Sequence, residues 1–203
     1  VVHLKCSMLG KMPGDKDDKF ANLKLAYAYM SGHPGKKLLF MGQEFGQWNE
    51  WSEKKALDWY LLEDPSHKEL KEFTKACMML NKKYKCLYET DYSPEGFRWI
   101  NANDRDNSVF SFIRISPDKK RHLLFVLNFT PVERMHHRIG VPIKGKYKLV
   151  LGDDLKNQKK TLTSIHGECD GYKDSLLIDL HRYGIAVYEF NGDVNAHKPT
   201  KIS

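Results

Sequence analysis

The sequence lacks the features that mark several large classes of protein. No stretch approaches the roughly 20 apolar residues that a membrane-spanning helix needs, and no secretory signal peptide is recognisable. Neither a glycine-rich phosphate loop nor a G-x-S-x-G nucleophile elbow occurs. We therefore expect neither a membrane partner, nor a phosphate-loop nucleotide site, nor serine-hydrolase chemistry of the nucleophile-elbow type.

Cysteine is scarce, and its spacing is irregular. The four cysteines (Cys6, Cys77, Cys86 and Cys169) form no paired pattern, and His166 with Cys169 makes a single half-site for zinc without a second pair. This pattern predicts no metal site and no disulfide framework. It is typical of a reducing compartment, so we expect a cytoplasmic protein.

Long runs of one charge are also absent. The net charge is +7 over 203 residues, and the densest basic runs are Lys82–Lys83 and Lys119–Arg121. A nucleic-acid groove needs clustered basic charge, so we predict that these runs are solvated faces and that nucleic acid is not a partner.

The first part of the chain has the order helix, strand, helix. Apolar residues at helical spacing, Phe20, Leu23, Tyr27 and Met30, predict a helix over 17–31 that Asp15 or Asp17 caps. A capping box at Ser66–Glu69 predicts a second helix over 67–84. Between them, the apolar run Leu38–Phe45 is typical of a buried parallel strand that ends in polar side chains. This order belongs to a repeating β/α architecture, in which such strand ends line the active site.

The composition changes near Leu87, where short β-branched and aromatic runs begin to alternate with turn signals. About seven strands at this rhythm predict an antiparallel β-sandwich. A long polar loop is expected over 152–174 and a frayed polar tail over 191–203. The predicted strands are 97–102, 109–116, 122–129, 138–141, 147–151, 176–180 and 185–190.

The candidate site lies at the end of the predicted strand and in the loop beyond it. Gln43 and Glu44 are the polar strand end, and Trp48 and Trp51 offer aromatic faces that suit the apolar C–H faces of sugars. Two structural alternatives stay open: Glu44 pairs with a basic or backbone group, and the tryptophans pack the loop onto the fold. The packing alternative is strongest for Trp59.

Several stretches resemble the bacterial 1,4-alpha-glucan (glycogen) branching enzymes of the alpha-amylase superfamily, in their C-terminal third. The resemblance covers roughly residues 1–152. The matching stretches are Val1–His3, Lys11–Asp15, Lys19–Leu23, His33–Trp51, Leu57–Trp59, Leu61–Leu62, Gly96–Phe97, Trp99–Ile100, Asn107–Val109 and Asn128–Val132.

The resemblance implies an α/β plus all-β fold: the C-terminal remnant of a (β/α)8 barrel over 1–86, an all-β domain over 87–190 and a polar tail over 191–203. It implies an α-glucan partner such as glycogen or a maltooligosaccharide, and no cofactor. The family works by double displacement with three carboxylates. All three match positions upstream of Val1, so no catalytic residue is assigned and the 203 residues alone are expected to be inactive.

The sequence departs from the family pattern in two places. Leu4 replaces a glycine that is usual in the family, and Leu155–Tyr172 replaces its Gly/Ser/Asn-rich segment. A truncated barrel exposes sheet edges, so self-association is expected. Two other functions stay open: another alpha-amylase relative such as a debranching hydrolase, and a non-catalytic glucan-binding or structural module.

Overall fold

The computed structural model of the protein describes residues 5–195, in which helices come first and strands follow. The helices are α1 (Met8–Lys11), α2 (Lys16–Gly32) and α3 (Pro65–Lys83), with 3₁₀ turns at Gln43–Phe45, Trp59–Glu63, Lys85–Leu87 and Pro94–Gly96. The strands are β1 (Phe97–Asn101), β2 (Val109–Arg114), β3 (His122–Asn128), β4 (Arg134–Val141), β5 (Lys146–Gly152), β6 (Thr161–Thr163), β7 (Ile165–Cys169), β8 (Tyr172–Leu180) and β9 (Ile185–Phe190).

The strands form two antiparallel sheets that pack face to face. The larger sheet has the order β1-β2-β3-β9-β5-β6, and the smaller has the order β4-β8-β7. Residues of both sheets meet in one apolar core, with Leu124 and Val126 from the larger sheet and Leu176 and Ile178 from the smaller. The predicted antiparallel β-sandwich is confirmed.

The helices cover the other face of the larger sheet. Alternate side chains of a strand point to opposite faces. Both faces of β3 are covered, so every one of its residues is buried. Leu124 and Val126 face the smaller sheet, whereas Leu123, Phe125 and Leu127 join a core with α2 and α3. Helices and larger sheet share this core, and the predicted domain border at residues 86–87 stays a prediction.

The two predicted helices are present with small shifts at their ends. Of the two candidate caps, Asp15 and Asp17, it is Asp15 that caps α2, accepting from the backbone N–H of Asp18 at 2.9 Å. The predicted capping box at Ser66 is wrong, because α3 begins at Pro65, two residues earlier than predicted. Asp64 is its N-cap and accepts from the N–H of Ser66, and Pro65 occupies the first turn, where a missing N–H costs nothing.

The predicted strand over Leu38–Phe45 is wrong. Residues 36–40 have no regular structure, and Gln43–Phe45 forms a 3₁₀ turn. Among residues 5–195 no strand pairs with this segment, and an isolated strand leaves its backbone N–H and C=O groups unpaired. Leu38, Phe40 and Met41 are 78%, 39% and 51% exposed, so the run is not buried. The barrel remnant therefore stays a prediction.

Two predictions for the C-terminal part are corrected. The expected loop over 152–174 contains β6 and β7, which are short, largely polar strands at sheet edges and lack a long apolar alternation. The expected frayed tail begins with an ordered stretch: Val194 is fully buried, and its carbonyl accepts from the Arg98 guanidinium at 2.9 Å. Residues 196–203, the rest of that tail, and residues 1–4, including Leu4, lie outside the described residues.

Candidate functional site

The predicted site residues lie on and beside a tight turn that follows the exposed apolar segment. Gly42 and Gly46 bracket the turn with φ of +80° and +70°, a left-handed conformation that favours glycine. A Cβ on Gly46 would lie 2.7 Å from Cδ2 of Leu70, so α3 packs directly against the backbone here. The Gln47 N–H donates to the Gly42 carbonyl at 2.9 Å and closes the turn.

Two buried side chains from different helices hold the carbonyls of the turn. The Tyr27 hydroxyl on α2 donates to the Gln43 carbonyl at 2.7 Å. Nδ1 of His67 on α3 lies 2.8 Å from the Phe45 carbonyl. Burial, and secondarily the charge of Glu44, raises the pKa of Tyr27, so its hydroxyl stays protonated as a donor. The backbone of Glu44 is therefore fixed on both sides.

Gln47 organises the loop beyond the turn. Its side chain is 4% exposed; Oε1 accepts from the Asp58 N–H at 2.9 Å, and Nε2 donates to the Asn49 carbonyl at 3.0 Å. Nδ2 of Asn49 in turn donates to the Asp58 carboxylate at 2.9 Å. These bonds fold residues 47–58 onto the turn without regular secondary structure.

The four predicted site residues do not converge on one cavity. Gln43 and Trp51 line a groove of about 360 Å³ beside the turn, and Oε1 of Gln43 accepts from the Phe40 N–H at 2.9 Å. Glu44 is half-buried on the turn near Tyr27. Trp48 is 36% exposed and lies outside the groove lining.

The Trp48 ring packs edge-to-face on two buried rings. Its centroid is 6.0 Å from Phe20 and 5.9 Å from His67, with interplanar angles of 89° and 78°. Trp51 packs against Phe40 at 5.3 Å, and Trp59 against Phe45 at 5.0 Å. Each of these tryptophans therefore packs against at least one aromatic ring, as the packing alternative predicts, and Trp48 and Trp59 remain partly exposed.

The groove has apolar walls and little acid–base chemistry. Among the described residues its lining includes one acidic side chain, Glu50, whereas glycosyl transfer by double displacement needs two carboxylates across the bond. Its apolar walls come from Met8, Leu9, Leu23, Tyr27, Leu38, Phe40, Met41 and Trp51. The arrangement is suited to contact with a ligand and does not supply a catalytic pair.

Neither a metal centre nor a membrane-spanning helix is found in the part of the chain that the structure describes. No group of three or more His, Cys, Asp or Glu side chains in residues 5–195 is placed to hold a metal ion. Over the same range, none of the helices combines the length and apolar composition needed to cross a membrane.

Sequence reasoning missed Tyr27, His67 and Gln47 as parts of this site. In the sequence, Tyr27 fits the apolar face of the first predicted helix, and His67 falls within the predicted capping box. Their bonds to the turn span 16 and 22 residues and end on backbone carbonyls, which leave no trace in the sequence pattern. A buried polar side chain at a core position is the one signal that could have identified them.

Comparison with known proteins identifies the relatives of this chain. Residues 99–191 match the family model described as the alpha amylase C-terminal all-beta domain. The 1,4-alpha-glucan branching enzyme GlgB of Butyrivibrio fibrisolvens is 48% identical over 198 residues, covering 94% of this chain and 31% of the relative. The enzymes of the same name from Aquifex aeolicus and Thiobacillus denitrificans are 49% and 51% identical, covering 77% and 76% of this chain and 25% and 21% of those relatives.

Solved structures share the fold at low identity. The protein Ttha1563 from Thermus thermophilus gives a TM-score of 0.59 at 18% identity, covering 85% of this chain and 32% of that one. The trehalose-6-phosphate hydrolase of Bacillus licheniformis gives 0.58 at 13% identity, covering 95% and 42%. These two likenesses concern the fold alone.

The resemblance seen in the sequence is confirmed. The chain is related to bacterial 1,4-alpha-glucan branching enzymes, and its strands form an all-beta C-terminal domain of the alpha-amylase type. It spans about a third or less of the length of the curated relatives cited above.

Proposed function

We propose that this chain is the C-terminal part of an α-glucan branching enzyme of glycogen biosynthesis, a transferase that cleaves α-1,4 linkages and forms α-1,6 branches. The observation that carries the proposal is the 48% identity over 198 residues to an enzyme of that name. The match takes in the helices, the turn and the sandwich, because it covers 94% of the chain.

Within that enzyme, the turn and its loop would contact the glucan through Gln43, Glu44, Trp48 and Trp51. Support comes from the local geometry. The Trp48 ring packs edge-to-face against two buried rings and is 36% exposed, so part of a large aromatic surface is held in place and open to a sugar. Gln43 and Trp51 share the adjoining groove.

The 203 residues alone are expected to rearrange no glucan. The resemblance places all three carboxylates of the reaction outside this sequence, and double displacement cannot proceed without a nucleophile and an acid/base. Linear amylose should give α-1,6 branch signals in proton NMR with a full-length protein that contains this chain, and none with the chain alone. Reducing sugars without branches from the full-length protein would favour a hydrolase and refute the transferase proposal.

Glucan contact is tested on the chain itself with maltoheptaose in isothermal titration calorimetry. Trp48→Ala should weaken binding about fivefold to thirtyfold, since one sugar-stacking aromatic ring contributes on the order of 1 to 2 kcal/mol. Glu44→Gln tests the carboxylate at unchanged size. Trp59→Phe is the matched control, because Trp59 packs on Phe45 outside the groove lining. Equal affinities for Trp48→Ala and Trp59→Phe would reject a role for Trp48 in glucan contact.

Self-association through the exposed apolar segment is a second part of the proposal. Leu38 and Met41 are more than half exposed, and such side chains favour burial against a second copy. Sedimentation velocity should show a concentration-dependent dimer that Leu38→Lys weakens; a monomer at all concentrations would refute it.

A cytoplasmic location is likewise proposed, with support from four free cysteines.

A further inference from the structure

Two donors that the sequence pattern does not mark hold the turn that carries Gln43 and Glu44. Tyr27 is 4% exposed and His67 is fully buried, and they come from α2 and α3. They take the carbonyls on either side of Glu44, those of Gln43 and Phe45. The helices thus fix the turn from two directions, because the turn has no strand partner of its own among the described residues.

The geometry shows which ring nitrogen of His67 is the donor. A carbonyl oxygen accepts hydrogen bonds only, so Nδ1 of His67 must carry a proton toward Phe45. Nε2 is buried and has no hydrogen-bond partner among the described residues. The one hydrogen bond of the ring in the described structure is therefore the one from Nδ1 to the turn.

The same ring also supports Trp48. The His67 centroid lies 5.9 Å from that of Trp48 and 4.8 Å from that of Phe20, both edge-to-face. His67 therefore has two separable properties: a donor that holds the turn, and an aromatic surface that backs the exposed tryptophan.

We infer that Tyr27 and His67 are positioning residues for glucan binding, which act through the Gln43–Phe45 turn and through Trp48 without touching the sugar. This inference rests on the proposed glucan contact. According to this inference, two side chains on α2 and α3 orient the turn and Trp48, although neither belongs to the segment 43–51 that carries the predicted glucan contacts.

Three substitutions separate the two properties. His67→Asn retains an N–H donor near the Nδ1 position and loses the ring; His67→Phe retains a ring and loses the donor. Tyr27→Phe removes the hydroxyl alone. Two controls delete polar groups of the same helices away from the turn: Tyr29→Phe on α2, and Thr74→Val on α3, whose hydroxyl donates to the Leu70 carbonyl at 2.9 Å.

The first measurement needs no ligand. Amide hydrogen exchange reports the turn through the N–H groups of Gly46 and Gln47, which donate to the carbonyls of Gln43 and Gly42. Tyr27→Phe and His67→Phe should raise exchange at these amides about tenfold, whereas His67→Asn should restore near-native protection. The four tryptophans, labelled with 5-fluorotryptophan and assigned by single Trp→Phe variants, give a fluorine NMR signal for Trp48. His67→Asn should shift it most.

The second measurement is titration with maltoheptaose, followed by the same fluorine signals and by calorimetry. Tyr27→Phe and His67→Phe should weaken binding about fivefold, the equivalent of one hydrogen bond, with both controls at native affinity. Native exchange and a native Trp48 signal in all three variants would overturn the positioning role. A loosened turn with native affinity would overturn its link to glucan. If the native chain gives no signal change with maltoheptaose, the proposed contact itself fails, and the exchange data still decide whether the two residues hold the turn.

Discussion

Two apolar runs of this chain, β3 and the segment Leu38–Met41, differ in burial and in strand pairing. β3 pairs with β2 on one side and β9 on the other, and every one of its residues is buried. The segment before the turn has no strand beside it among residues 5–195, and Leu38 is 78% exposed. An apolar run therefore predicts burial only when partner strands are present, because the backbone must be satisfied as well as the side chains.

The interactions that hold the strands of the sandwich together differ from those that hold the helices against it. Within the sandwich, ladder hydrogen bonds connect the strands. Across the border, a few side chains carry the polar connections, and Arg114 on β2 is a fully buried one. Its guanidinium donates to the Gly32 carbonyl at the end of α2 at 2.7 Å and pairs with Asp91 at 3.0 Å.

The largest expected effect comes from removing that connection. Arg114→Met should lower the free energy of unfolding by about 3 to 5 kcal/mol, since it leaves the Asp91 carboxylate buried without its partner. The matched control is Arg121→Met, which breaks the more exposed pair with Glu189 and should cost about 1 kcal/mol or less. Urea denaturation measures the free energy of unfolding of both variants. Equal losses would show that the contact between the helices and the sandwich does not depend on Arg114.

The same comparison explains which parts of the fold could be predicted. Helix α2 follows from local signals, the spacing of Phe20, Leu23 and Tyr27 and a nearby aspartate cap, and the helix is confirmed with Asp15 as the cap. Strands β6 and β7 were missed because they are short and polar and depend on neighbours rather than on their own pattern. The segment Leu38–Phe45 has the apolar pattern of a strand, but among the described residues no neighbouring strand pairs with it, so the predicted strand is wrong.

A second prediction tests the contact between α2 and the sandwich by size alone. A Cβ on Gly32, the last residue of α2, would lie 2.6 Å from Cε1 of Phe125 on β3. Alanine is normally better than glycine in a helix by roughly 1 kcal/mol, yet here we expect Gly32→Ala to destabilise by about 1 to 3 kcal/mol through overpacking. Thermal and urea unfolding measure the change.

Phe125→Leu supplies the control for this prediction. The smaller side chain makes room for the added methyl group, so the double variant should be less destabilised than the sum of the two single variants. Additive losses would mean that α2 does not press on Phe125.

For the candidate site, the sequence identifies the exposed residues but not their supports. Gln43, Glu44, Trp48 and Trp51 stand out by residue type in a polar stretch. Gln47 reads as one more polar residue of the same stretch, although its side chain is buried and bonds to Asp58 eleven positions away. Polar supports of this kind act on backbone groups, which every residue has, so the partner cannot be read from the sequence.

Two histidines of the sandwich have pKa values that are shifted in opposite directions. A hydrogen bond with the Asp153 carboxylate, with Nδ1 2.8 Å from Oδ2, raises the pKa of His181 above its ordinary value of about 6.5. Burial lowers the pKa of His122, whose Nδ1 accepts from the Ser116 N–H and whose Nε2 donates to the Gly192 carbonyl. The two side chains should therefore stabilise the fold in different ranges of pH.

The smallest expected effect is this difference in pH dependence. His181 stabilises the fold below about pH 6.5, and its contribution is lost as the pH rises through its folded pKa, whereas the contribution of His122 is present above about pH 6.5 and is lost as the pH falls. His181→Gln should thus cost more stability at about pH 5.5 than at about pH 8.5, and His122→Gln the reverse. Urea unfolding at the two pH values measures both differences. Parallel pH dependences for the two variants would contradict the assignment, because a raised and a lowered pKa require slopes of opposite sign.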